Sequence, residues 1–208
     1  MEMTVWICCV LIVVLLYVLA IHPSCRRAAR EAKREVRYYA HRGLYGNNSD
    51  APENSLRAFA LAAEAGYGIE LDVRLTKDGV PVVFHDPVLE RMCGCAGSIE
   101  ELNAEQTDAL RLLGTDQKVP RLQEVLELVA GRVPLLIEYK MEQMDATVCV
   151  RADRLLNSYP GEYCMESFHP FALLWYRQNR PEILRGILST DYRDGRSLPM
   201  TPLHFCSR

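Results

Sequence analysis

Gly68-Ile69-Glu70-Leu71-Asp72-Val73-Arg74, the turn Lys77-Asp78-Gly79 and Pro81-Val82-Val83-Phe84-His85-Asp86 decide how the rest of the chain is read. The first run is a strand that projects Glu70 and Asp72 from one face, because side chains two apart share a side. Lys77-Asp78-Gly79 is a tight hairpin turn into a second strand over 81–84. Upstream, a short strand from Val36 to Ala40 stops at His41-Arg42-Gly43, and a polar loop runs to Pro52. Glu53-Asn54-Ser55 then opens the alanine-rich helix LRAFALAAEAG, with Asn54 or Ser55 as its cap and Gly66 as its stop. Downstream, 87–119 reads as an inserted loop with a short helix around 103–113. An amphipathic helix over 122–130 and an apolar strand over 133–139 follow. A helix near 143–157, a strand near 162–168, a helix near 170–180 and a strand near 183–188 complete the series.

Repeated strand–helix units mean parallel strands covered by helices, either a (β/α) barrel or an open doubly wound sheet. No glycine-rich phosphate loop follows the first strand, which disfavours a nucleotide-binding sheet. The chain has 208 residues, 49% of them hydrophobic, enough for a sizeable core. Six basic and three acidic residues fall in 1–37, which leaves 38–208 with 18 basic against 24 acidic, a net charge of −6. An acidic body does not attract nucleic-acid phosphates, so no nucleic-acid partner is expected.

Val5 to Ile21, VWICCVLIVVLLYVLAI, is uninterrupted by charge and lies at the lower edge of the ~17–25 residues needed to span a bilayer. Its flank MEMT lacks the basic residues of a signal peptide, so residues 1–24 are expected to form an uncleaved single-pass anchor, with Trp6 at the interface. The basic spacer over 25–37, CRRAAREAKREVR, places the following body, 38–208, in the cytoplasm by the positive-inside rule. The eight cysteines do not read as a disulfide framework. Cys8 and Cys9 lie in the apolar run, Cys149 and Cys164 at core-like positions, and Cys93-Gly94-Cys95 lacks the second pair of a zinc site. His169-Pro170 reads as a helix start, and Trp175 and Tyr176 as packing.

Charged residues at the ends of apolar strands carry the chemistry. His41-Arg42, Glu70 with Asp72, His85-Asp86 and Glu138 with Lys140 all fall at or just past predicted strand ends. In a parallel α/β fold those ends converge on one mouth, where ligands bind. Glu70, Asp72 and Glu138 offer oxygen ligands that suit a hard cation, Ca2+ or Mg2+, rather than zinc. His41 and His85 suit proton transfer near neutral pH, and Arg42 and Lys140 suit an anionic phosphate. The spacing thus points to metal-assisted phosphoester chemistry.

The ordered set from His41-Arg42-Gly43 through Pro52-Glu53-Asn54-Ser55, Ala58-Phe59, Glu70-Leu71-Asp72-Val73, Thr76-Lys77-Asp78-Gly79, the 81–86 run and Ile137-Glu138-Tyr139-Lys140 resembles the glycerophosphodiester phosphodiesterase family. Ser167-Phe168 before a helix extends the likeness, which runs from about 38 to 190. The resemblance implies a TIM barrel that hydrolyses glycerophosphodiesters to glycerol 3-phosphate and an alcohol. It implies Glu70, Asp72 and Glu138 as metal ligands, His41 and His85 as the acid–base pair, and Arg42 and Lys140 on the phosphate. Glu53 and Asn54 then support the site from the loop, and Asp78 and Asp86 are structural. The expected substrates are soluble glycerophosphodiesters or lysophospholipids; a phospholipase C-like or sphingomyelinase-D-like lyase and an inactive scaffold are the alternatives. Without 1–37 the chain has 171 residues, against ~250 for an eight-fold barrel, so an incomplete barrel of about six strands, truncated at its C-terminus, is expected.

Overall fold

The computed structural model describes residues 2–21, 38–142 and 144–189. Its elements in order are α1 (Glu2–Ile21), β1 (Tyr39–Ala40), α2 (Leu56–Glu64), β2 (Gly68–Leu75), β3 (Pro81–Val83), α3 (Glu90–Cys93), α4 (Ala104–Thr107), α5 (Leu122–Val129), β4 (Leu135–Tyr139), α6 (Thr147–Leu156), β5 (Tyr163–Ser167), α7 (Pro170–Asn179) and β6 (Arg185–Ile187). The strand–helix alternation follows the sequence reading. Val36 and Arg37, expected to begin the first strand, and the tail 190–208 lie outside the described residues.

The six strands form one sheet in the order β1-β2-β4-β5-β6, parallel throughout, with β3 antiparallel on β2. The antiparallel pair follows from the turn: Gly79 sits at φ +78, and Thr76 Oγ1 donates to Asp78 Oδ1 at 2.6 Å. A two-strand hairpin needs only such a tight turn, whereas a parallel return needs a helix.

The two faces of the sheet differ in kind. Ile69, Leu71 and Val73 of β2, Leu135, Ile137 and Tyr139 of β4 and Met165 of β5 join the main apolar core. Phe59 of α2, Val125 of α5, Cys149 of α6 and Tyr176 of α7 cover that face. Alternation then turns Glu70, Asp72, Glu138 and Glu166 to the opposite face, where Asp72 is level with Glu138 and Glu138 with Glu166. Within the core, the Tyr139 and Tyr176 hydroxyls meet at 2.6 Å with both residues buried. Tyr139→Phe strands the Tyr176 hydroxyl and should lower stability by about 1–3 kcal/mol. Urea unfolding would show a lower midpoint at an unchanged slope; an unchanged midpoint refutes the coupling.

The segment 87–119 is more ordered than an inserted loop. Leu89, Met92, Ile99, Leu112 and Val119 close with Val82 and Phe84 into a second apolar cluster of their own. The expected helix near 103–113 shrinks to α4, whose start is tied to the hairpin by Ala104 N donating to Asp78 Oδ1 at 3.0 Å.

The expected membrane span is corrected. Among the described residues, no helix is long and apolar enough to cross a membrane. The apolar run does form α1, and its side chains described at 3–16 are all exposed. The basic spacer 25–37 lies outside the described residues.

Candidate active site

The site begins at the end of β1. Gly43 sits at φ +83, and a Cβ there would lie 2.9 Å from the carbonyl carbon and Cβ of Ala58, so only glycine lets this turn close on the start of α2. Ser55 caps that helix by accepting from Ala58 N at 3.1 Å. Asn54 is thereby released from capping, and both Arg42 (φ +58) and Asn54 (φ +56) adopt left-handed backbone conformations. Such conformations cost energy outside glycine and gather at functional sites. Asn54 N donates to Arg42 O at 2.9 Å, which holds the two strained residues together.

Three strands, β2, β4 and β5, then contribute four carboxylates. Oxygens of Glu70, Glu138 and Glu166 all lie within 4.8 Å of one another, with Glu70 and Glu138 buried. Arg42 N donates to Glu70 Oε2 at 2.7 Å. Burial, then the neighbouring Asp72 charge, pushes Glu70 up to about 8. Burial also pushes Glu138 up to about 7, although Lys140 opposes it. Glu166 is raised by burial and by Asp72.

Asp72 is held differently. Burial acts to raise it, but the Lys140 charge and the Asn54 bond outweigh that and leave it below the usual carboxylate value. Lys140 Nζ lies 3.0 Å from Asp72 Oδ1 and 2.6 Å from Glu138 Oε1. Asn54 Nδ2 donates to Asp72 Oδ2 at 2.8 Å, and Arg42 Nε stands 3.5 Å from the same oxygen. Both expected phosphate-holding cations therefore border the carboxylate group.

His41 and His85 flank this cluster, since each feels the charges of Arg42, Asp72 and Lys140. Loss of water, then the Arg42 charge, holds His41 below 6.5. Burial holds His85 below 6.5 as well, against the pull of its Asp86 bond. His85 Nδ1 lies 2.7 Å from the Oδ1 of Asp86, a residue the sequence reading left as structural. Asp78 bonds Thr76 within the hairpin and Ala104 N at the start of α4.

Glu53, read from the sequence as a supporting loop residue, accepts from Arg42 at 2.8 Å and from Asn47 at 3.0 Å. Burial acts to raise Glu53, but bonds from Arg91, Asn47 and Arg42 overcome it and bring it to about 2. A recess of about 160 Å³ adjoins the cluster, lined by Arg74, Glu138, Lys140, Ser167, Phe168 and His169.

Three functional positions escaped the sequence reading. Glu166 completes the carboxylate trio; its signal was the second of two acids, Glu162 and Glu166, in the strand expected near 162–168. Arg74 is buried and donates to His85 O at 3.0 and 3.2 Å, fixing the backbone behind the imidazole. Arg91 bonds both Glu53 and Asp86. Neither arginine could be paired from sequence, because the partners lie on other segments.

Carboxylates that repel each other in a largely desolvated trio suit a divalent cation, and an all-oxygen donor set matches a hard one. Fold and site together define a TIM-barrel-like α/β domain whose strand ends gather carboxylates, two histidines and two cations. The chain belongs to the glycerophosphoryl diester phosphodiesterase family, whose model matches residues 41–189.

Its similarities agree. It is 30% identical over 179 residues to "Glycerophosphodiester phosphodiesterase 1" of Homo sapiens, covering 79% of this chain and 53% of the human protein. It is 39% identical over 161 residues to a glycerophosphodiester phosphodiesterase of Caldanaerobacter subterraneus subsp. tengcongensis, covering 72% and 65%. The chain thus spans about half the length of the human relative, 53%. Among solved structures, an Oleispira antarctica phosphodiesterase in complex with the product sn-glycerol-3-phosphate superposes with a TM-score of 0.67 at 28% identity, covering 77% of this chain and 67% of that one. These relatives are named as phosphodiesterases, a class of phosphoric diester hydrolases.

Proposed function

We propose that this domain hydrolyses glycerophosphodiesters to sn-glycerol 3-phosphate and an alcohol. The observation that carries the reading is the carboxylate trio Glu70, Glu138 and Glu166, two of them buried, bordered by Lys140 and Arg42 beside two histidines. Glu70, Glu138 and Asp72, joined by Glu166, would hold one divalent cation, Ca2+ or Mg2+. That ion would supply charge stabilisation on a non-bridging phosphate oxygen.

The protein's own groups account for the rest. Arg42 and Lys140 bind and orient the phosphodiester monoanion; Glu53 keeps the Arg42 guanidinium in place through its bond to Nη1. One imidazole, in its neutral form, takes the proton of the attacking hydroxyl at its free nitrogen. The other, entering the step as imidazolium, gives its proton to the departing alkoxide oxygen, and exchange with solvent restores both rings after turnover. Asp86, at Nδ1, directs the opposite nitrogen of His85 toward proton transfer.

Incubation of the full chain with glycerophosphocholine and Mg2+ or Ca2+ tests the reading. Release of glycerol 3-phosphate supports it. Accumulation of a cyclic phosphate would replace it with the lyase reading, and no turnover with either ion would leave the scaffold reading.

Exposed apolar side chains lie just after β3, β4 and β5, at Val88, Met144 and Phe168, and Phe168 lines the recess beside Glu138. They favour a substrate with an apolar group, so lysophosphatidylcholine should be turned over with a lower KM than glycerophosphocholine. Equal KM values for the two would remove that preference.

A further inference from the structure

Four of the five guanidinium N–H directions of Arg91 are committed to two carboxylates on opposite flanks of the site. Nε donates to Asp86 Oδ2 at 2.6 Å and Nη2 to Asp86 Oδ1 at 2.8 Å. On the other side Nη2 donates to Glu53 Oε1 at 2.6 Å and Nη1 to Glu53 Oε2 at 3.0 Å. Asp86 in turn meets His85 Nδ1 at 2.7 Å, and Glu53 accepts from Arg42 Nη1 at 2.8 Å. A continuous chain, His85–Asp86–Arg91–Glu53–Arg42, therefore joins a histidine to a phosphate-binding cation. Arg91 stands on α3, in the segment with its own apolar cluster, and its side chain is 45% exposed while those of Glu53 and Asp86 are only 4% and 13% exposed.

We propose that Arg91 is a positioning residue that locks His85 and Arg42 into one frame, an inference that rests on the hydrolase reading above. It does not touch the reacting atoms. By gripping both Asp86 oxygens it stops that carboxylate from rotating, so Asp86 keeps accepting from Nδ1 and Nε2 stays the nitrogen for proton transfer. By gripping both Glu53 oxygens it fixes the acceptor on which the Arg42 guanidinium leans. A planar fork can hold two carboxylates in this way, whereas a lysine ammonium is a single point charge. Arg74, bonded to the His85 carbonyl, fixes the backbone from behind, so Arg91 is left to set the ring.

The test uses the full chain with Arg91→Ala and Arg91→Lys, assayed on glycerophosphocholine and by 15N spectra of the histidine rings. The parent should show a protonated Nδ1 and an unprotonated Nε2 at His85. Arg91→Ala should average the two nitrogen signals and lower kcat/KM about 100-fold. Arg91→Lys should recover less than about a tenth of the loss. Millimolar guanidinium should restore Arg91→Ala at least about tenfold while leaving the parent and His85→Ala unchanged. An unchanged ring pattern with kcat/KM within twofold overturns the proposal, even if the melting temperature falls. If Arg91→Ala does not fold, Arg91→Gln is read by the same two measurements and the same criteria. The ring spectra need no substrate. A parent that turns over nothing while the pattern shifts in the variant removes the hydrolase reading and keeps the positioning role. An active parent with an equally active variant removes the positioning role alone.

Discussion

Alanine at His85 is expected to lower kcat toward glycerophosphocholine by about 10²- to 10⁴-fold, and alanine at His41 by a similar factor. The groups proposed to hold the phosphate are Arg42 and Lys140, so KM should move far less than kcat. A nitrophenyl leaving group separates the two histidines. It departs without a proton, so the variant lacking the general acid regains most of its rate on that ester, and the variant lacking the base does not. The pH profile carries a sign as well. Both imidazoles sit below 6.5, held there first by burial. The acid limb of kcat/KM must therefore fall below 6.5. Both alanine variants retaining activity within twofold of the parent would end the acid–base assignment.

Metal removal has the second large effect. Chelation should bring turnover to background, and Ca2+ or Mg2+ should restore it. The same carboxylates predict a stability signature that needs no assay of activity. Glu70 and Glu138 are raised from 4.5 to about 8 and about 7, so the folded chain binds their protons more tightly than the unfolded chain does. Their favourable contribution is complete below 4.5 and is lost as pH rises through 7 and 8. His41 and His85, lowered by burial, act in the opposite sense but only below 6.5. Glu53, lowered to about 2, loses its contribution only as pH falls below the ordinary carboxylate range. Between pH 6.5 and 8 the raised carboxylates therefore act alone. The chelated protein should melt at steadily lower temperature across that window, and a bound divalent cation should flatten the slope. A chelated melting temperature equal at pH 6.5 and pH 8 would contradict the repulsion on which the ion site depends.

Most of the site was legible because charged residues stand out at the ends of apolar strands. Glu138 after Leu135-Leu136-Ile137 needs an explanation in a way that a surface glutamate does not, and the structure supplies it in Lys140 at 2.6 Å. Glu166 was less visible because its strand, Tyr163-Cys164-Met165-Glu166-Ser167, is only weakly apolar, so an acid there raises no alarm. The role of Asp86 was hidden for another reason. Its meaning depends on Arg91, and the second partner of Arg91, Glu53, lies 38 residues away. Local periodicity reports which face a side chain takes, but not which distant loop comes to meet it. The reading of the N-terminal run as a span rested on hydropathy over 5–21, but among the described residues no helix is long and apolar enough to cross a membrane. The antiparallel course of β3 was implicit in the Lys77-Asp78-Gly79 turn, which is too short to return a strand in parallel.

The separate apolar cluster beneath 87–119 has a consequence for how such a domain diversifies. Val82 and Phe84, from β3 and the residue just past it, are the sheet's share of that cluster, while β2, β4 and β5 supply the main core. Apart from Arg91, residues facing solvent on this segment can thus be exchanged without repacking the main core. The wall beside His85 is a replaceable module, and new substrate preferences can be grafted onto it while the catalytic floor is inherited unchanged.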